Sequence, residues 1–234
     1  MLIEIKDARK EYGKGESLVK ALDGVNLSLE AGKIYVVLGP SGSGKSTLLN
    51  MVGGLDVLTS GSIVVDGIDI SKANKKELTE YRRKVTGFVF QFYNLVPDLT
   101  ALENIEMVMD ISDKSNALDI DDIMESLEIS QLKDRFPREL SGGQQQRISI
   151  ARALVKNPKI LLCDELTGAL DTKSSRSVLS VIEKINQKYH TTIIIITHNE
   201  AIQNMADVII RFKDGQVNSV EDNLNKMSAE EIEL

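Results

Sequence analysis

The chain has 234 residues, 42% of them apolar and 27% charged, with a net charge of −7. That is enough apolar material to fill the core of one compact domain, with or without a substantial insertion. An acidic chain with no long basic run is unsuited to a general electrostatic grip on nucleic acid, so no nucleic-acid partner is expected. Cys163 is the single cysteine, so no intramolecular disulfide can form, which fits a reducing compartment. The N-terminal stretch MLIEIKDARK lacks the apolar segment of a signal peptide. The longest aliphatic run, IIII at 193–196, is far too short to span a bilayer. Any membrane role is therefore expected to run through a partner.

Short β-like runs occupy 2–6, 24–30 and 62–70, and SIVVDGIDI places Asp66-Gly67 between two of them, a hairpin signal. Residues 34–38 (IYVVL) read as a buried strand and 45–52 as a helix. Between them, 39–46 (GPSGSGKS) match the phosphate-loop pattern GxxxxGK[ST] at every constrained position. Gly39, Gly42 and Gly44 permit φ > 0 and remove Cβ atoms, so backbone N–H groups can curl around a phosphate. Lys45 sets a point charge against the β/γ-phosphates, and the Ser46 hydroxyl is placed to ligate Mg²⁺. The loop opens a helix, where dipole and free N–H groups favour an anion. The nucleotide-binding set predicted here is Gly39, Pro40, Ser41, Gly42, Ser43, Gly44, Lys45, Ser46 and Thr47.

Residues 85–92 (VTGFVFQF) read as a strand ending near Gln91, whose amide oxygen is a potential Mg²⁺ ligand. Thr100-Ala-Leu-Glu103 is a capping-box pattern opening an apolar run to Ile111. Ile120, Ile123, Met124 and Leu127 fit one helical face, and Pro137 breaks the chain just before LSGGQ at 140–144. Then helix 143–156, strand 159–164, helix 173–189, strand 192–197, helix 199–206 and strand 207–212 alternate. Strands rich in Val, Ile and Leu, separated by helix-length segments, predict a mainly parallel sheet covered on both faces. Residues 93–140 read as a helical insertion into it.

A second chemical centre is ILLCDE at 160–165, an apolar strand with two carboxylates at the end where open α/β sheets bind ligands. Asp164 suits the Mg²⁺ shell, and Glu165 suits orienting or deprotonating the attacking water. His198 follows the strand TTIIIIT at the same edge.

The order phosphate loop, Gln91, LSGGQ (140–144), ILLCDE (160–165), GALD (168–171) and Thr197-His198 resembles the nucleotide-binding domain of ATP-binding-cassette (ABC) transporters over nearly the whole chain. The resemblance implies an α/β fold: a P-loop NTPase (RecA-type) core with a mainly parallel sheet, an N-terminal antiparallel β subdomain and an inserted helical subdomain. It implies one domain over 1–234, with core 1–92 and 141–215, helical subdomain about 93–140, and an acidic tail 216–234. It implies that Tyr12 stacks on adenine, and that Glu165 and a switch histidine, His198, are catalytic. It further implies that Mg²⁺ is held by Ser46, Gln91 and, through water, Asp164. Ser141, Gly142, Gly143 and Gln144 would contact ATP held by a second copy of the chain, with Asp171 at the interface between copies.

The implied cofactors are ATP and Mg²⁺. The implied partners are a second copy in a head-to-tail dimer and an integral membrane permease docked along Gln91 to Val96. That places the chain in the cytoplasm, on the inner face of the cell membrane. The segments FQFYNLVPDLTALENI and ELSGGQQQRISIARAL are similar to the group serving macrolide and antimicrobial-peptide exporters and lipoprotein-releasing systems. Leu166 stands where the family usually has proline, which frees φ and restores an N–H. Other classes fit less well. A non-transport ABC ATPase usually carries two cassettes or long coiled coils, a kinase has no need of LSGGQ, and a regulatory nucleotide-binding module has no need of Glu165.

Overall fold

The structure is a computed structural model that describes residues 1–234, apart from the side chain of Glu16. Its smaller sheet is antiparallel. β1 (Ile3–Tyr12) pairs with β2 (Val19–Leu29) on one side and with β4 (Ser60–Val65) on the other, and β4 turns back into β5 (Ile68–Asp69). The β4–β5 turn is the predicted Asp66-Gly67 pair. Both residues have positive φ, 51° and 77°, as a two-residue hairpin turn requires.

The larger sheet has the order β10–β9–β3–β8–β7–β6. β3 (Ile34–Leu38), β6 (Thr86–Val89), β7 (Ile160–Asp164), β8 (Thr192–Thr197) and β9 (Val208–Lys213) are parallel, and β10 (Gln216–Asp222) adds to the edge antiparallel to β9. Alternate residues of the central strands enter opposite cores, as period-2 geometry demands. Val36, Leu161, Cys163, Ile193 and Ile195 face one core, which is filled by α3 (Ala101–Asp110), α4 (Ile120–Ser126), α5 (Gly142–Leu154) and α6 (Thr172–Tyr189). Tyr35, Val37, Leu162, Ile194 and Ile196 face the other, shared with α1 (Lys45–Val52), α2 (Lys75–Lys84) and the smaller sheet.

Several elements depart from the sequence reading. The strand expected over 85–92 ends at Val89, because the chain turns at Gln91 and passes through left-handed φ at Tyr93 (52°) and Asn94 (51°). The helix expected over 199–206 is a 3-10 helix, Glu200–Met205. α2 carries no readable apolar stripe; only Leu78 and Tyr81 are buried, and the helix is set by a capping box between Asn74 and Glu77. The acidic segment after 215 first forms β10 and then packs on α6. Ala229 and Ile232 are buried there, and the Arg176 guanidinium donates to the Ile232 carbonyl at 3.2 Å.

In the helical region, Asn104 is fully buried with its amide satisfied. Its oxygen accepts from Val96 N–H (2.8 Å), and its nitrogen donates to the carbonyls of Val96, Leu99 and Thr100 (3.2, 3.0 and 2.9 Å). Asn104→Ala leaves the Val96 N–H and the Leu99 carbonyl unpaired and is expected to cost about 1–3 kcal/mol. Urea unfolding would show a lower midpoint with an unchanged m-value.

Lys156 follows α5 and donates its amine to the Arg82 carbonyl at 2.6 Å, tying α5 to α2. Burial, with a smaller push from Arg82, lowers its pKa to about 8. The unfolded chain then binds more protons between about 8 and the ordinary lysine value, so stability from this residue rises with pH across that window. Relative to Lys156→Met, the native chain should gain stability when unfolding is measured at pH 10 rather than pH 7.

Candidate active site

β3 delivers the chain to the C-terminal edge of the sheet, and α1 leaves it. The loop between them is pressed against its surroundings at two glycines. A Cβ on Gly39 would sit 2.1 Å from the Phe212 carbonyl, and one on Gly44 2.3 Å from that of Ala21. Gly44 also has φ 104°, which an L side chain rarely adopts. The Gly215 N–H donates to the Ser43 carbonyl at 2.8 Å, pinning the loop to the β9–β10 turn. Lys45 is only 7% exposed, and its ammonium donates to the carbonyls of Gly39 (2.7 Å) and Pro40 (2.9 Å). Burial lowers its pKa, against the raising influence of Glu165 and Asp164. Beyond the loop lies an open cleft of about 550 Å³. Ser41 to Thr47 form its floor, Val19 to Ala21 and Asp214–Gly215 its walls, and Glu165 one end.

The second wall of chemistry comes from β7. Asp164 is part-buried; burial and then Glu165 push its carboxyl up, while Lys45 and a hydrogen bond from Ser46 push it down. A serine hydroxyl beside a carboxylate is a hard-oxygen pair suited to Mg²⁺, which takes few protein ligands and fills its shell with water and phosphate oxygens. Glu165 has φ 48°, a left-handed conformation that costs energy for a side-chain-bearing residue and clusters at functional sites. Its N–H donates to the Ile196 carbonyl (3.0 Å), which anchors it to β8. Its carboxylate accepts the Thr197 hydroxyl at 3.4 Å and sits 3.0 Å from His198 Nδ1. The turn closes with Gly168 N–H donating to the Glu165 carbonyl (3.0 Å). Leu166 is 2% exposed, so a buried side chain holds this turn.

Gln91 reaches the same place. A Cβ on Gly168 would lie 2.9 Å from the Gln91 amide nitrogen, so this side chain lies against the turn that follows Glu165. Tyr12 stands beside the loop. Its hydroxyl bonds Asp56 (3.1 Å), the Lys10 ammonium sits 4.9 Å from the ring centroid, and the residue is 42% exposed. Phe92 points outward at 73% exposure, while the backbone behind it is fixed by Arg152, which donates to the carbonyls of Tyr93 (2.8 Å) and Asn94 (2.5 Å).

The LSGGQ segment lies elsewhere. Ser141 caps α5 in a reciprocal box with Gln144, its N–H donating to the Gln144 amide oxygen at 2.9 Å. The glycines are needed for packing: a Cβ on Gly142 would meet the Tyr93 hydroxyl at 2.7 Å, and one on Gly143 the Ser174 Cβ at 3.1 Å. None of the described residues lining the cleft comes from 140–144. Asp171 caps α6, accepting from Ser174 N–H (2.9 Å) and the Ser174 hydroxyl (2.7 Å). The structure thus gathers the phosphate loop, Gln91, Asp164, Glu165 and His198 on one edge and leaves Ser141 to Gln144 outside it. The walls at Val19–Ala21 and Asp214–Gly215 carry no motif, and only the fold brings them to the loop.

Gly44→Ala combines a forbidden φ with a backbone clash. Gly42→Ala meets nothing within 4 Å and faces only its φ of 79°. The second variant should lose about 1–2 kcal/mol, and the first considerably more, together with at least about tenfold in nucleotide affinity. Thermal unfolding and ATP titration of the two proteins would check the ranking.

Residues 22–168 match the ABC transporter family. The putative ABC transporter ATP-binding protein MG065 of Mycoplasma genitalium is 44% identical over 99% of this chain, but the match covers 50% of that protein, so the chain spans half that relative's length. The ABC transporter ATP-binding protein MJ0796 of Methanocaldococcus jannaschii is 42% identical, over 92% of this chain and 95% of its own. The lipoprotein-releasing system ATP-binding protein LolD 1 of Chlorobium chlorochromatii is 41% identical, over 92% and 90% respectively. A solved dimer of the MJ0796 cassette, in a post-hydrolysis state bound to ADP and Pi, matches with TM-score 0.84 and 38% identity, covering 94% of this chain and 98% of that one. In sequence and in fold, the chain belongs to the ABC transporter family.

Proposed function

We propose that this chain is the ATP-hydrolysing subunit of an ABC system, closing head-to-tail with a second copy on ATP–Mg²⁺ and driving a membrane permease. The observation that carries the reading is the Glu165 carboxylate, held 3.0 Å from His198 Nδ1 at the end of a cleft floored by Lys45 and the phosphate-loop amides. The loop N–H groups and Lys45 take the β- and γ-phosphates. Ser46, Gln91 and Asp164 would hold the Mg²⁺, which would supply positive charge against the transferring phosphoryl group. Glu165 orients the attacking water and accepts its proton, and His198 steadies both Glu165 and the γ-phosphate. Tyr12 offers an aromatic face to the adenine.

The cleft is open, and Ser141 to Gln144 are not among its lining residues. A second copy supplies them in trans, with Asp171 at the seam. Binding of ATP favours the closed pair, and hydrolysis with product release reopens it. The permease contacts the loop from Gln91 to Val96, where Phe92 projects and its backbone is fixed. Among the described residues no helix is long and apolar enough to cross a membrane, so the subunit works at the inner face of the membrane through that permease. Among export or extraction of lipoprotein, peptide or antibiotic, the likeness to LolD 1, an ATP-binding protein of a lipoprotein-releasing system, supports the first.

ATP turnover should rise more than linearly with protein concentration. Glu165→Gln should lower kcat by about 10²–10⁴-fold and run as an ATP-dependent dimer in size-exclusion chromatography. A monomeric Glu165→Gln protein that still turns over ATP would remove Glu165 from its role and favour a regulatory nucleotide-binding module.

A further inference from the structure

We propose that Asn223, in the segment after β10, is a positioning residue for His198. The proposal rests on the reading of His198 as the γ-phosphate switch.

His198 has β8 before it and the 3-10 helix Glu200–Met205 after it. Thr197 on the β8 side is buried in the sheet, but the His198 side chain is 66% exposed and has little packing of its own. Its position therefore depends on the two backbone segments that flank it and on Glu165. The helical flank is the weaker one, because 3-10 bonds are poorly aligned and the last carbonyls of such a turn lack internal partners. At its start, the Asn199 side chain accepts from Ala201 N–H (2.9 Å), and the Asn199 N–H donates to the Thr197 hydroxyl (3.1 Å). That hydroxyl in turn donates to Glu165.

At its end stands Asn223. The carboxamide nitrogen lies 3.3, 3.2 and 3.0 Å from the carbonyls of Gln203, Asn204 and Ala206, closing the helix terminus. The carboxamide oxygen accepts from Asn225 N–H (3.1 Å), which fixes which way the amide faces. The Asn223 N–H donates to the Asp207 carbonyl (2.9 Å), and the Asp207 carboxylate accepts from Ile34 N–H (2.7 Å) at the root of β3. Met227 N–H adds a bond to the Asn204 carbonyl (2.8 Å). The Asn223 side chain thus holds the end of the helix that leads out of His198, while its backbone N–H and the Asp207 carboxylate tie the same place to the strand that leads into the phosphate loop. Without it, the Ala206 carbonyl loses its partner and those of Gln203 and Asn204 keep only the Ala206 and Met227 N–H groups, and the freedom gained there is passed to His198.

The test is a double-mutant cycle in the full chain, with ATPase rates normalised to nucleotide-bound protein. Asn223→Ala is expected to lower kcat about three- to tenfold with KM within about twofold. Asn223→Ser, which keeps one donor and guards against a folding defect, is expected to fall between. In a His198→Ala background, Asn223→Ala should cause no further loss. Equal losses in both backgrounds, or an unchanged kcat alongside a lowered melting temperature, would overturn the proposal and reduce Asn223 to a stability residue. If His198→Ala alone left kcat intact, the switch reading itself would fail, and the proposal with it.

Discussion

The site turns on one buried cation. Lys45 is buried under the loop it closes, and an ammonium taken out of water is costly unless it is paired. Two loop carbonyls and the nearby carboxylates of Asp164 and Glu165 compensate it. The balance is incomplete, since burial still lowers the lysine and still raises Asp164. The two carboxylates also repel each other, with a single ammonium between them and the loop. Such an arrangement suits a polyanion and its cation, and the large apolar cores on both faces of the sheet hold it in place. The same logic accounts for the left-handed Glu165, which is pinned at its N–H to β8 and by a buried Leu166.

The sequence was most legible where a single local signal dominated. β3, β7 and β8 were read almost to the residue because strands buried on both faces are unbroken apolar runs. α3 was legible from its cap and α4 from its apolar spacing. α2 was not, because a helix that buries two of its ten residues has almost no periodic signal. β10 was hidden in an acidic stretch, because an edge strand can keep its polar face in water. The helix expected at 199–206 tightened to 3-10 form, and Ala206 then leaves it in an extended conformation.

The candidate site divides the same way. Its chemistry-bearing residues announced themselves by type and spacing, since phosphoryl transfer needs glycines, a lysine and carboxylates at strand ends. The parts that hold them did not. Val19 to Ala21 reach the cleft because β2 pairs with β1 and because Asp23 N–H donates to the Gly215 carbonyl (2.9 Å), and no local pattern encodes a contact across that distance in sequence. Asn223 and Arg152 are likewise visible only through their hydrogen bonds to carbonyls far away in the chain.

Arg152 shows what such contacts add to the proposed function. It lies on α5, the helix that Ser141 caps, and its two bonds hold the backbone just behind Phe92. At the other end of the same helix, the Tyr93 hydroxyl lies so close to Gly142 that a methyl group there would collide with it. The Phe92 loop is thus fastened to α5 near both ends. A guanidinium held this way, most of it out of water, makes the joint stiff, because releasing it would leave two carbonyls and a buried charge unpaired. In the proposed reading, a push on Phe92 would be passed to the N-terminus of α5, where the LSGGQ glycines lie. On its other side the loop begins at Gln91, which lies against the turn after Glu165. One short segment thus touches the surface proposed for the permease, the motif proposed to reach the partner's ATP, and the turn that carries Glu165. Coupling between transport and hydrolysis then needs no long pathway through the core, only the rigid attachment of residues 91–96 to elements on either side.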